Sequence, residues 1–225
     1  MSASSDSMKS ALYQQIARVA QALGSDGRLQ LIEYVAQGER SVEELATMSG
    51  LSVANCSKHL QVLRQAGLVV SRKEGLRVYY GIAGDDVVAL FVSLRMVAEH
   101  RTAEIERLLR NWLGARDPLE PVAPSDLMKS VKRGLVTVLD VRPADEFRAG
   151  HLPGAFNVPI EQLERYLAKL PRDREVVAYC RGPYCLMSYE AVEKLRKRGW
   201  RARRLQDGFP EWRAAGLPVE VGARS

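Results

Sequence analysis

Cys180-Arg181-Gly182-Pro183-Tyr184-Cys185 decides how the second half of this chain is read. Val176-Val177-Ala178-Tyr179 leads into it as a strand, and the apolar spacing from Leu186 to Arg198 leads out of it as a helix. A thiol at the C-terminal end of a strand, on a glycine-containing turn that opens a helix, is placed for chemistry. The helix N-terminus and the N–H groups of the turn favour an anion, and the thiolate is the nucleophilic form of cysteine. The expectation is that Cys180 is an acidified nucleophile, with Arg181, Gly182, Tyr184 and Cys185 completing its loop. Pro183 removes one N–H donor from that loop. Arg181 leaves a cation in it, suited to an anionic ligand.

The flanking sequence extends the pattern. Ser125 is a cap for a helix through Lys132, and Val136 to Arg142 reads as a strand. Short helices then alternate with strands at Phe156–Val158, Glu175–Tyr179 and Ala202–Leu205. This alternation implies a mostly parallel sheet covered on both faces, with its site at the carboxyl ends of the strands. Upstream, Gly114 to Pro124 holds three prolines and reads as a stiff linker.

The first half has a different grammar. Residues 1–10 read as a frayed tail, followed by a helix carrying Leu12, Ile16, Val19, Ala20 and Leu23. Ser25 or Asp26 caps a second helix with Leu29, Leu31, Ile32 and Val35. Ser41-Val42-Glu43-Glu44 is a capping box that opens a helix over Val42–Met48. Gly50 breaks it, and Ser52 caps the next helix, which runs to about Ala66. Two short helices across a glycine turn are a helix-turn-helix signature. Leu68–Arg72 and Leu76–Tyr80, joined at Lys73-Glu74-Gly75, follow as a hairpin with a basic tip.

Helix-turn-helix followed by a basic hairpin is a winged helix, which reads duplex DNA with a helix in the major groove and cations on phosphates. Helical spacing turns Leu51, Cys56, Leu60 and Leu63 inward. It turns Val53, Ala54, Ser57, Lys58 and Gln61 outward, just after Ser52. Ser57, Lys58 and Gln61 suit base edges or phosphates. Arg64, Arg72, Lys73 and Arg77 are candidate phosphate contacts. His59 lies on the same helix, either reaching DNA or packing.

Composition agrees with two ordinary domains. The chain has 225 residues, 46% of them hydrophobic, and a formal net charge of +6 that permits nucleic acid as a partner. No apolar run approaches the roughly 18 residues needed to span a bilayer, and Met1–Ser10 lacks the apolar core of a secretory signal. Three unevenly spaced cysteines do not make a disulfide framework. The reading is a cytoplasmic protein with no membrane partner, and free thiols available for catalysis or sensing.

Leu51 to Val69 closely resembles the recognition helix of ArsR/SmtB-type winged-helix repressors. The resemblance covers roughly residues 10–113 and implies a homodimer that leaves its operator when an inducer binds. It also implies one long dimerising helix over Asp85–Leu113, with Val88, Leu90, Phe91, Leu94, Val97, Ile105, Leu108, Leu109 and Trp112 apolar. The family's metal-sensing cysteine pairs and acidic clusters are not evident. Cys56 reads as a core residue, and His100 with Glu104 as a solvated helix face. No metal site and no cofactor are expected.

Leu139-Asp140-Val141-Arg142, Glu146-Phe147, Gly150-His151-Leu152-Pro153-Gly154-Ala155-Phe156-Asn157-Val158-Pro159 and Asp207-Gly208-Phe209-Pro210-Glu211-Trp212 resemble a rhodanese domain over roughly 125–221. The resemblance implies a cysteine that accepts a sulfane sulfur as a persulfide, at the position of Cys180, and makes His151 a structural residue. Leu186 stands where related phosphatase loops place an arginine, which disfavours phosphate-ester hydrolysis. Cys185 either packs, shares the persulfide, or attacks it to close a disulfide.

The fold class expected is therefore multidomain: a mainly α winged helix-turn-helix over residues 1–113, a linker over 114–124, and an α/β rhodanese-like domain with a parallel sheet over 125–225. The function expected is a DNA-binding regulator, a repressor, whose rhodanese module senses or transfers sulfane sulfur from thiosulfate or a persulfide. The alternatives are a sulfurtransferase with accessory DNA binding and a metal- or arsenic-responsive repressor.

Overall fold

A computed structural model describes residues 2–113 and 120–222, with side chains from residue 6 onward. The chain divides into two compact units, residues 1–88 and 89–225. Most of the expected linker, residues 114–119, lies outside the described residues.

In the first unit α1 spans Ser2–Leu23, so the expected frayed tail is helical. No glycine or proline interrupts Ser2–Leu23, and a run of helix formers propagates the helix toward the terminus. Among its described side chains only those of the last turn, Ala22 and Leu23, are buried; Met8, Leu12, Tyr13 and Ile16 are exposed. α2, Asp26–Val35, buries Leu31, Ile32 and Val35. After β1, Arg40–Ser41, comes α3, Val42–Ser49. Its capping box forms: the Glu44 amide donates to Ser41 Oγ at 3.2 Å, and the Ser41 amide to the Glu44 carboxylate at 2.7 Å. Gly50 ends α3 in the left-handed region at φ 68°, where a Cβ would be strained.

Ser52 Oγ accepts from the Asn55 amide at 3.3 Å and opens α4, Val53–Gln65. Cys56, Leu60 and Leu63 on α4 are sealed among the buried residues of α2 and α3. β2, Val69–Glu74, and β3, Arg77–Ile82, pair antiparallel, and the sheet order is β1-β3-β2. The turn falls at Gly75-Leu76 rather than Lys73–Gly75, because Glu74 pairs with Arg77 in register.

α5, Asp85–Arg101, begins in the first unit and continues into the second. The single long helix expected to Leu113 is broken: Thr102 is extended (φ −118°, ψ 102°) and α6 restarts at Ala103–Trp112. A β-branched residue that favours N-caps over helix interiors accounts for the break.

In the second unit α7 runs Pro124–Lys132, starting one residue before the expected Ser125 cap. Proline occupies the first helical position, where its missing N–H costs nothing. The sheet holds β4 (Val136–Asp140), β5 (Phe156–Asn157), β6 (Glu175–Tyr179) and β7 (Ala202–Arg204), all parallel, in the order β5-β4-β6-β7. Helices α8 (Ala144–Ala149), α9 (Leu163–Tyr166), α10 (Leu186–Lys197) and α11 (Phe209–Ala214) complete the unit.

Strand alternation sorts the core into two layers. Leu139, Val141, Val176, Ala178 and Cys180 pack with Leu163, Val192 and Leu195. Val138, Val177 and Tyr179 pack with Leu127, Phe147, Phe209 and Trp212. At the end of β4 the guanidinium of Arg142 and the carboxylate of Asp140, both fully buried, meet at 2.6 Å. Arg142 also donates to the Gly150 carbonyl at 2.8 Å. His151 is buried, stacked on Phe147 with Nδ1 2.9 Å from the Phe147 carbonyl, the structural position the resemblance implied.

Candidate functional site

Cys180 is the residue after β6, and the period of the strand decides which way it faces. Val176, Ala178 and Cys180 share one face, so the sulfur is directed toward α10 and away from solvent. Its Sγ lies 3.3 Å from Ser188 Oγ, 3.4 Å from the Cys185 carbonyl and 3.7 Å from the Gly182 carbonyl. The two carbonyl oxygens accept from a thiol and repel a thiolate, while the Ser188 hydroxyl and the Gly182 backbone favour the anion and offset part of that effect. Burial, with only 1% of the residue exposed, and then the neighbouring Cys185 push the Cys180 thiol well above its ordinary range.

The expectation of an acidified Cys180 is thus corrected, and the acidified thiol of the loop is Cys185. It is half-buried at the N-cap of α10. A hydrogen bond from Cys180 pulls it down to about 7 against the opposing effect of burial. The backbone N–H groups of Arg181 and Met187 and the charge of Arg181 assist.

The remaining loop residues are held from outside the loop. Arg181 is not a free cation: its guanidinium grips the buried Glu146 carboxylate, Nη2 at 2.6 Å and Nε at 3.0 and 3.1 Å. Glu146 thereby anchors the loop to α8. Gly182 lies against Gly208: a Cβ on Gly208 would stand 2.4 Å from Gly182 N and from the carbonyl carbon of Arg181. The Phe209 amide donates to the Cys180 carbonyl at 3.1 Å, and Glu211 accepts from the Gly208 amide at 3.0 Å. Glu211 also pairs with Arg95 of α5 at 2.6 Å. The Tyr184 hydroxyl donates to Glu99, one turn beyond Arg95 on α5. A groove of roughly 790 Å³ borders this contact, with Arg95, Glu99, Pro183, Tyr184 and Asp207 in its walls. Burial, then Glu211, raises the Asp207 carboxyl above its usual range.

Sequence reasoning missed Ser188, Glu146, Gly208, Arg95 and Glu99. Ser188 carries a local signal, one turn after Cys185 on the inward side of α10. Glu146 and Gly208 stand in motifs that were read for fold rather than for the loop. Arg95 and Glu99 have no local signal.

On α4, Ser52, Val53, Ala54, Lys58 and Gln61 are exposed, and Ser57 is half-buried with Gln61 Nε2 3.5 Å from its Oγ. These form one outward row. His59 is the member of the expected set turned inward: Nε2 lies 3.6 Å from where a Cβ on Gly27 would stand. Arg64 is exposed and donates to Ser71 Oγ at 3.3 Å. Arg72 is already engaged by Glu39 at 2.6 Å and by Glu74, above the ring of Tyr79. Lys73 and Arg77 are exposed on the wing. Cys56 is fully buried, and burial pushes its thiol up to about 11. Among the described residues, no three or more His, Cys, Asp or Glu side chains cluster as a metal site, and no helix is long and apolar enough to cross a membrane.

Residues 25–71 match the family described as bacterial regulatory protein, arsR family, and residues 123–215 match the rhodanese-like domain. Over 215 residues the chain is 46% identical to the HTH-type transcriptional regulator Rv0324 of Mycobacterium tuberculosis, covering 96% of this chain and 94% of that protein. The chain belongs to the ArsR-type regulators that carry a rhodanese-like domain. A sulfurtransferase of Allochromatium vinosum is 33% identical to this regulator over 85 residues, 37% of this chain and 78% of that protein. A solution structure of the homodimeric winged helix-turn-helix domain of Mb0332 from Mycobacterium bovis is 47% identical, covering 42% of this chain and 87% of that one, with a TM-score of 0.40. In the regulator the arsR-family match ends at Ser71, so the wing tip lies beyond it. The rhodanese match encloses both loop cysteines, Glu146, Ser188 and Gly208.

Proposed function

We propose that this regulator binds duplex DNA as a homodimer through α4 and the wing, and that sulfane sulfur reacting at the Cys180–Cys185 loop changes that binding. The observation that carries the reading is the bond from Tyr184, next to Cys185, to Glu99 on α5. α5 starts at Asp85, inside the DNA-binding unit. Chemistry in the loop that shifts Tyr184 therefore acts directly on a helix shared with the DNA reader. The exposed apolar residues Leu12 and Ile16 on α1 of the first unit supply apolar surface for a second copy. Two copies then meet half-sites about one helical turn apart on a palindromic operator. A cytoplasmic setting fits the three free thiols.

The test is fluorescence anisotropy of the full chain on a duplex selected from random sequence, with and without inorganic polysulfide or thiosulfate. Polysulfide is expected to change the apparent Kd about fivefold or more, the lower range of allosteric coupling. Tyr184→Phe is expected to bind DNA as the wild type does and to lose most of the response. Affinity unmoved by either donor would overturn the sensing role.

Within the DNA interface, Lys58→Ala is expected to weaken binding and lower the slope of log affinity against log salt by about one. Arg72→Ala is expected to change that slope little, because Glu39 and Glu74 already balance its charge. Equal slopes for Lys58→Ala and the wild type would remove Lys58 from the phosphate contacts.

A second reading is supported by the likeness to the sulfurtransferase: turnover of sulfane sulfur to a thiol acceptor. It predicts repeated transfer from thiosulfate without DNA present, whereas sensing needs only one event per chain.

A further inference from the structure

We propose that Glu99 is a positioning residue of the sulfur site: through Tyr184 it holds residues 182–185 shut over Cys180, and a sulfur donor reaches Cys180 only when that bond opens. The inference rests on the sulfur-sensing reading and deepens it by naming what gates the site.

Cys180 is 1% exposed, and the loop's own backbone closes over its sulfur. The Cys185 carbonyl stands 3.4 Å and the Gly182 carbonyl 3.7 Å from Sγ. The Cys185 amide donates to the Gly182 carbonyl at 3.1 Å and shuts the turn. A sulfur bound to Cys180 adds an S–S bond of about 2 Å, and loop atoms stand where it needs space. Loading Cys180 therefore requires residues 182–185 to move outward.

Both ends of that span are fixed. Glu146 grips Arg181 at 2.6 Å, and the Phe209 amide donates to the Cys180 carbonyl at 3.1 Å. After Cys185 the chain enters α10, anchored by the buried Tyr189, Ala191, Val192 and Leu195. The middle is tied by side chains. Pro183 has no N–H to give, and its carbonyl accepts from the Tyr189 hydroxyl at 3.4 Å, a long contact between neutral groups. Tyr184 donates to the Glu99 carboxylate. A bond to a carboxylate is roughly twice as strong as one between neutral groups, so Glu99 is the stronger of these two ties.

Glu99 is itself held. Arg95, one turn earlier on α5, has Nε 3.6 Å from the Glu99 carboxylate and Cζ 5.7 Å from the centre of the Tyr184 ring. The same guanidinium pairs with Glu211 at 2.6 Å, and Glu211 accepts from the amide of Gly208, which backs onto Arg181 and Gly182. One helix thus braces the loop on two sides, all within the second unit. With sulfur on Cys180 the span stands outward, and Tyr184 cannot return to Glu99 while the sulfur stays.

The experiment is pulsed alkylation of the full chain with iodoacetamide, without DNA. Trypsin cuts after Arg174, Arg181 and Lys194, so Cys180 and Cys185 fall in separate peptides, read by mass spectrometry on singly labelled chains. Tyr184→Phe and Glu99→Ala are expected to label at Cys180 about tenfold faster than wild type or more, the effect of losing a hydrogen bond to a charged group. Glu99→Gln keeps an oxygen that accepts from Tyr184 and is expected to recover part of the protection. Tyr184→Phe removes a single oxygen, which covers the case in which Glu99→Ala misfolds.

A second readout separates a latch from a merely structural Glu99. Opening the latch exposes little surface, so wild-type labelling at Cys180 is expected to stay flat in urea below the unfolding transition. Equal Cys180 rates in wild type, Tyr184→Phe and Glu99→Ala would overturn the proposal, as would a wild-type rate that climbs with urea in step with unfolding. None of these rates involves DNA or a sulfur donor. A latch without sensing and sensing without a latch therefore give different results in this experiment and in the anisotropy measurement.

Discussion

Arg142→Ala is expected to cost about 3–5 kcal/mol of folding free energy, the range for stranding one member of a buried ion pair. The guanidinium is fully buried and makes contacts on three sides. It meets both oxygens of Asp140 at 2.6–3.1 Å, the Gly150 carbonyl at 2.8 Å, and the ring of Phe209 with Cζ 4.5 Å from the centroid. Removing it leaves the Asp140 carboxylate buried beside a cavity without its cation, held by neutral donors such as the Arg142 amide at 2.9 Å. A domain holds about 5–15 kcal/mol in total, so this single truncation removes a large share. All three tryptophans, Trp112, Trp200 and Trp212, belong to residues 89–225, so tryptophan fluorescence during urea unfolding reports that unit selectively. A loss below about 1 kcal/mol, the ceiling for an exposed pair, would contradict the account. Adding Asp140→Asn to Arg142→Met is expected to restore part of the loss, since no charge then remains unpaired.

Gly208→Ala is expected to slow sulfur uptake by about 100-fold, the effect of a misplacement near 1 Å at a reacting centre. Its methyl group would stand 2.4–2.5 Å from the backbone of Arg181 and Gly182, closer than any real contact. The loop cannot slide away as a body, because the Phe209 amide holds the Cys180 carbonyl and Glu146 holds Arg181. The strain therefore falls on the segment that carries Cys180 and Cys185. Overpacking of this kind costs about 1–3 kcal/mol in stability, so the unit should remain folded. DNA affinity before sulfur is added should match the wild type. Uptake at the wild-type rate, followed by mass spectrometry, would refute the close approach as a constraint on the loop.

The parts that were legible in sequence are those set by neighbours along the chain. The capping box at Ser41, the Ser52 cap, the inward stripe of Cys56, Leu60 and Leu63, and the strand–turn–helix around Cys180 each follow from contacts within a few residues. What failed is set by distance or by burial. The thiol of Cys180 was read from its place at a helix start, but the pleat of β6 turns it into the core layer, and that is a property of the folded sheet. The free charge of Arg181 disappears against Glu146, 35 residues away, and Tyr184 finds Glu99 85 residues away. The wing turn shifted because cross-strand register, pairing Glu74 with Arg77, outweighed the turn signal at Lys73–Gly75. Thr102 broke a helix that apolar spacing alone would have carried to Leu113.

Cys56 lies in the helix proposed to face DNA, yet it is fully enclosed and burial pushes its thiol up to about 11. A thiol-directed electrophile therefore finds no accessible cysteine among the described residues of the first unit. Under the proposed sensing role, thiol chemistry at the loop is thereby kept apart from the helix that would read sequence.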